Sequence, residues 1–288
     1  MDFVVVRSGS RPRSQELWAV LDAAGIPARI AGERGSYTLV VQVEDRERAL
    51  RELDDYLSED RPRRPDPPLR TLEGGWTGVL AYAFVILSVA YLAQRHALDA
   101  DWFERGRAQA GLMIGGEWWR SVTALTLHVD GRHLLGNLLF GSVLGFLAAQ
   151  GLGGGGAWLA IVVGGTLGNG VNAALQDPAH SAVGASTAVF AALGVLVALA
   201  LRYNRKRDVS AARRWSPLVA GLLLLGWTGM GGERTDVWAH VAGLATGMLV
   251  GAACGFAPPA WLARRGVQWL AWSLTALIVL GAWGWALG

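Results

Sequence analysis

Ser186, His240, His133 and Asn137 are the residues of this 288-residue chain whose types and placement could assemble a reaction centre. A serine hydroxyl is a weak nucleophile until a base takes its proton. Neutral imidazole, with an ordinary pKa of about 6.5, suits that task near neutral pH, and burial keeps the ring neutral. Charge developing on a tetrahedral intermediate needs preorganised donors, each worth roughly 3 kcal/mol. The Asn137 amide, the His133 ring and the Ser186 backbone N–H at a helix start are the candidates. No carboxylate lies in the apolar runs to act as a third member. The chemistry these groups point to is acyl transfer by a serine–histidine dyad.

The elements that must position them are membrane spans. Hydrophobic residues make up 52% of the chain and charged residues 17%, and after residue 70 most of the charge falls in short clusters between apolar runs. A bilayer-crossing helix needs roughly 20 predominantly apolar residues. Runs of that kind occupy 76–94, 133–150, 157–175, 184–202, 215–230, 237–256 and 267–287. The expected fold is an all-α polytopic membrane protein of six core spans and a seventh after them, preceded by a small α+β domain.

Basic residues favour the cytoplasmic side of a membrane. Arg202, Arg205, Lys206, Arg207, Arg213 and Arg214 crowd the connection between the fourth and fifth spans. Arg264 and Arg265 follow the sixth, and Arg61, Arg63, Arg64 and Arg70 precede the first. The stretch 175–183 has no Lys or Arg, and 231–236 has one. This asymmetry puts the N-terminus in the cytoplasm and the C-terminus outside. MDFVVVRSGSRPR contains no signal-peptide core, so the first span is expected to act as its own insertion signal. Orientation also accounts for the net charge of +3 without invoking nucleic acid. The lone Cys254 excludes intramolecular disulfides and cysteine-cluster metal sites. No metal or cofactor is expected.

Residues 1–60 read as β-α-β-β-α, with strands at FVVV, PARI and SYTLVVQV, and GERG as a turn. Leu50, Leu53 and Leu57 share one face of the second helix. A docking or regulatory role is expected for this domain. A proline- and arginine-rich linker spans 61–74, the six-span core 75–256, and a basic loop with the seventh span 257–288.

Polar side chains inside a membrane are costly and usually functional. His133 and Asn137 begin the second span, Ser186 the fourth and His240 the sixth, so alternating topology gives all four one depth just below the outer interface. Each alone has a plainer reading, as a back-bonded hydroxyl, a packing amide or a haem or metal histidine. On the sixth span His240 shares a face with Gly243, Gly247 and Gly251, and small-xxx-small ladders let backbones approach closely. On the fourth, Ser186, Phe190 and Gly194 form a stripe. Packing of these two stripes would bring hydroxyl and imidazole within hydrogen-bonding reach, with Phe190 beside the ring. Asn169 and Asn172 in the third span hint at a transport path but read better as packing amides, and His180 reads as a solvated loop residue.

With these residues in view, the stretch from about 75 to 256 resembles the rhomboid intramembrane serine proteases. WWRSVTALTLHVDGRHLLGN carries Trp119–Arg120, His128 and an HxxxN pattern at His133 and Asn137; GAST contains the nucleophile motif; AHVAGLATG matches the AHxxGxxxG motif. The resemblance implies Ser186 as nucleophile, His240 as base, and His133 and Asn137 as oxyanion donors. It implies that Gly184, Phe190, Gly243 and Gly247 support the dyad and that Trp119, Arg120 and His128 support the first outer loop. It further implies transmembrane-helix substrates, single-span or other, cleaved near the outer face of a bacterial inner membrane. Membrane lipids are the remaining partners, and the oligomeric state is left open. Thr187 replaces the motif's usual glycine and could narrow the substrate cleft. Phe190 replaces an aromatic that is often tyrosine. The competing expectation is a non-catalytic rhomboid-like protein that binds transmembrane clients.

Overall fold

The computed structural model describes residues 2–33, 36–59, 72–205, 210–229 and 236–288. The chain divides into two units, residues 1–69 and 70–288.

The first unit has the expected order: β1 (Phe3–Gly9), α1 (Arg11–Ala23), β2 (Ala28–Glu33), β3 (Ser36–Gln42) and α2 (Arg46–Glu59). The strands form one antiparallel sheet with β3 in the centre. Alternation along β3 turns Leu39 and Val41 inward, where they meet Leu17 and Leu21 of α1 and Leu53 of α2. Leu50 and Leu57 pack at the edge of that core. The centre of the GERG turn and most of the linker, residues 60–71, lie outside the described residues.

The second unit contains α3 (Gly75–Gln94), α4 (Trp102–Gly106), β4 (Ala108–Gln109), α5 (Ala110–Ile114), α6 (Arg120–Thr123) and α7 (Gly131–Leu152). It continues with α8 (Gly154–Leu175), β5 (Ser181–Ala182), α9 (Ser186–Arg205), α10 (Ala211–Gly229), α11 (Val237–Cys254), α12 (Pro259–Leu262) and α13 (Arg265–Leu287). Among the described residues, α3, α7, α8, α9, α11 and α13 are long and apolar enough to cross a membrane. The chain is a multi-pass integral membrane protein. The run expected as a fifth span, 215–230, is a helix, but α10 is not one of the six. It begins four residues earlier than expected, takes in Arg213 and Arg214 in its first turn and carries Pro217. Residues 206–209 of the basic connection and 230–235 of the loop before α11 lie outside the described residues.

α9 is the most buried of the six spans, packed between α8, α11 and α7. Glycines set the spacing. A Cβ on Gly243 would strike the Thr187 carbonyl, one on Gly247 the Ala191 backbone, and one on Gly251 would stand 2.7 Å from Val195 Cα. The ladder seats on the Thr187–Ala191–Val195 stripe of α9, and the adjoining stripe expected from sequence also meets α11, with Phe190 at the His240 ring and Gly194 against the Leu244–Met248 backbone. These contacts run in the same direction on both helices, so α9 and α11 lie parallel with their N-termini at one end.

Most of the segment between α3 and α7 is folded. Its short helices pack with the end of α13: Trp283 stacks at 4.5 Å on Trp102, its Nε1 donates to Thr126 Oγ1 at 3.1 Å, and Arg105 Nη1 donates to the Ala286 and Leu287 carbonyls. The last two bonds satisfy carbonyls left over at a helix C-terminus.

Candidate active site

The lead-in to Ser186 is held by three successive ties. β5 pairs antiparallel with β4, placing Ala182 opposite Ala108. Gly184 N–H donates to the Ala124 carbonyl at 2.9 Å, and Ala185 N–H donates to His128 Nε2 at 3.4 Å. Gly184 has φ +135°, a conformation open to glycine and rarely to other residues. A Cβ there would stand 2.5 Å from His133 Cε1 and 3.6 Å from Ser186 Oγ. This glycine is thus where the serine and the His133 ring converge. Ser186 itself opens α9, so its N–H is one of those a helix start leaves without an intrahelical acceptor.

On α7, Asp130 caps the helix by accepting the His133 N–H at 2.8 Å. One turn on, Asn137 is buried, its carbonyl accepting from Tyr82 Oη at 2.8 Å. Its side-chain Nδ2 is buried without a hydrogen-bond partner among the described residues. A buried unpaired amide donor is costly and needs an explanation. His128 and His133 meet edge to face at 5.1 Å. Burial, with His133 nearby, pushes the His128 imidazole down to about 4, so it is neutral and can accept from Ala185.

His240 lies in the first turn of α11, buried at 7% exposure, with its ring 4.4 Å from that of Phe190. The structure therefore gathers the expected residues in two contact sets at one end of the bundle: Ser186, Gly184, His133 and His128 in one, Phe190 and His240 in the other. The six-residue segment 185–190 of α9 and its lead-in joins the two.

Thr187 is buried, and a Cβ on Gly168 of α8 would lie 2.9 Å from its Cγ2, one on Gly243 of α11 3.1 Å. It fills the junction of three helices.

Trp119 and Arg120 brace the folded loop. Buried Arg120 donates from Nε to Glu117 at 2.6 Å and from Nη1 to the Glu104 and Arg107 carbonyls at 2.8 and 3.0 Å. Trp119 stacks on Trp285 of α13 at 6.1 Å.

Residues 115–256 match the family model of the Rhomboid domain. The chain is also 32% identical over 150 residues to the rhomboid protease GluP of Bacillus subtilis (strain 168), a match covering 52% of this chain and 29% of that protein. The rhomboid match runs from the approach to α6 to the end of α11, and so contains every contact in the two sets above. It does not reach α3 or α13.

Three residues near this site escape the sequence motifs. Asp236 caps α11, its Oδ1 accepting the Ala239 N–H at 3.0 Å. Its Oδ2 takes Asn172 Nδ2 at 2.8 Å and pairs with His180 Nε2 at 2.7 Å. Burial pushes this carboxyl up, but the bonds from Ala239, His180 and Asn172 outweigh it and hold the pKa below the usual aspartate value. His180, expected to be solvated, and Asn172, expected to be a packing amide, are both partners of this carboxylate. An aspartate four residues before His240 was the available signal, visible only once helix capping is considered.

Proposed function

We propose that this chain is an intramembrane serine endopeptidase that cleaves transmembrane-helix substrates near the outer membrane face. The observation that carries the reading is the buried Asn137 amide donor, without a hydrogen-bond partner among the described residues, one turn from a His133 ring that abuts the loop leading into Ser186. A donor kept dry and unpaired is what a transient oxyanion requires.

In this reading Ser186 Oγ attacks the scissile carbonyl while neutral His240 takes its proton. The oxyanion is met by Asn137 Nδ2, the His133 ring and the Ser186 N–H. The intermediate collapses, His240 passes the proton to the leaving amine, and the acyl group stays on Ser186. Water, activated by His240, then releases the second product and restores the serine. Phe190 fixes the plane of the base. Packing of the Phe190 ring against the imidazole contributes to its orientation.

Substrate carbonyls within a helix are engaged in hydrogen bonds, so segments with small or helix-breaking residues near the cut are preferred. The basic connections favour an N-terminus in the cytoplasm and a C-terminus outside, an arrangement that requires α10 to serve as the fifth of seven spans. The test is cleavage of a reconstituted single-span substrate by wild type and by Ser186→Ala. Loss of cleavage in the variant is expected; equal cleavage would overturn the reading and leave a membrane client binder.

A further inference from the structure

We infer that Asp236 is a positioning residue for the reaction, tying the frame of the base to that of the nucleophile. The inference rests on the proteolytic reading above. One carboxylate joins three elements: Oδ1 caps α11, while Oδ2 accepts from Asn172 in the last turn of α8 and pairs with His180 in the loop after it. Asp236 is four residues before His240, and its main-chain carbonyl accepts the His240 N–H at 3.2 Å. Asp236 thus sits at the turn from which the imidazole projects. His180 is six residues before Ser186, and its own carbonyl accepts the Ala110 N–H at 3.0 Å just before the β4–β5 pair. The His180–Asp236 contact is therefore a bridge between the segment that delivers Ser186 and the turn that delivers His240.

The side chains are 29% and 16% exposed, a partly dry setting in which a charge-assisted hydrogen bond is strong and short. Asn172 secures the carboxylate from the side of α8, with Oδ1 accepting from Gln176 Nε2 at 3.4 Å. The glycine ladder allows α11 to approach α9 but leaves rotation and sliding about that contact weakly restrained, because glycine offers no side chain to interlock. Asp236 supplies the restraint at the catalytic end. A displacement of about 1 Å between reacting groups can cost on the order of 100-fold in rate.

The experiment uses the full chain in liposomes with a single-span substrate. It compares wild type, Asp236→Asn, His180→Ala and His180→Gln, each normalised to its folded fraction by thermal unfolding. Asparagine keeps an acceptor for Ala239 but presents an N–H₂ to Asn172 and His180. Glutamine keeps a donor of similar reach to the carboxylate. Expected are kcat values reduced roughly 10-fold in Asp236→Asn and His180→Ala, with KM within about two-fold of wild type, and recovery to within about three-fold in His180→Gln. Folded Asp236→Asn with unchanged kcat, a defect confined to KM, or His180→Gln as impaired as His180→Ala would each overturn the inference. If only the thermal midpoint falls, the cluster is structural and the inference fails. Wild type that does not cleave sinks the proteolytic reading itself, an outcome distinct from the other four.

Discussion

Phe190 and His240 meet ring to ring at 4.4 Å, joining the helix that opens with Ser186 to the helix whose ladder of glycines packs against it. The contact holds one face of the proposed base against an aromatic ring. Offset and tilted aromatic contacts are worth about 0.5–1.5 kcal/mol beyond burial.

Removing that contact should disturb rate more than substrate binding. Phe190→Ala is expected to lower kcat about 10-fold or more with KM little changed, because the imidazole gains rotational freedom. Phe190→Tyr should stay within a few-fold of wild type. Steady-state cleavage of a reconstituted substrate measures both.

Asn137 offers a test in which activity and stability separate. Its Nδ2 is buried and has no hydrogen-bond partner among the described residues, so Asn137→Ala removes a donor left unmatched there. The thermal midpoint should hold or rise, while kcat falls on the order of 100-fold through loss of an oxyanion donor. A side chain that served only as packing glue would lower both together.

The glycine ladder makes a position-specific prediction. A Cβ at Gly247 would collide with Ala191 backbone atoms, which cannot swing aside as a flexible side chain would. Gly247→Ala should destabilise by about 1–3 kcal/mol and depress cleavage. Gly170→Ala, also in a helix, meets nothing within 4 Å. It should hold or raise the midpoint, since alanine is the better helix former by about 1 kcal/mol.

His128 sets a pH dependence. Its folded pKa of about 4 lies below the ordinary 6.5, so the neutral form is favoured by folding. Above pH 6.5 both states are neutral and stability is full. As pH falls from 6.5 towards 4, the unfolded chain takes up a proton that the folded chain refuses, and stability declines by about 3 kcal/mol. The difference in unfolding free energy between wild type and His128→Gln, followed from pH 7 to pH 4, should narrow by that amount.

The spans were legible because a bilayer demands a length and composition that local sequence displays, and the β-α-β-β-α order because alternation and turn residues are local too. The register of the α9–α11 contact was not. Ser186–Phe190–Gly194 and Thr187–Ala191–Val195 are both credible stripes of small or apolar residues, and the packed helices use both, the glycine ladder on the second and Phe190 and Gly194 of the first. The bracing of the loop between α3 and α7 by α13 joins Thr126 to Trp283, 157 positions apart, and leaves no periodic trace. The pairing of His180 was hidden for the same reason, since its partner, Asp236, lies 56 residues away; Asn172, buried and bonded from α8 to the cap of α11, is the packing amide expected.

The central claim is that Ser186 is activated by His240. The most direct measurement is the intact mass of the purified protein after treatment with a fluorophosphonate, for wild type and for folded Ser186→Ala and His240→Ala. The expected result is one phosphonyl adduct on wild type, mapped to Ser186, and none on either variant. Labelling of His240→Ala at the wild-type rate, or an adduct mapped to another residue, would contradict it.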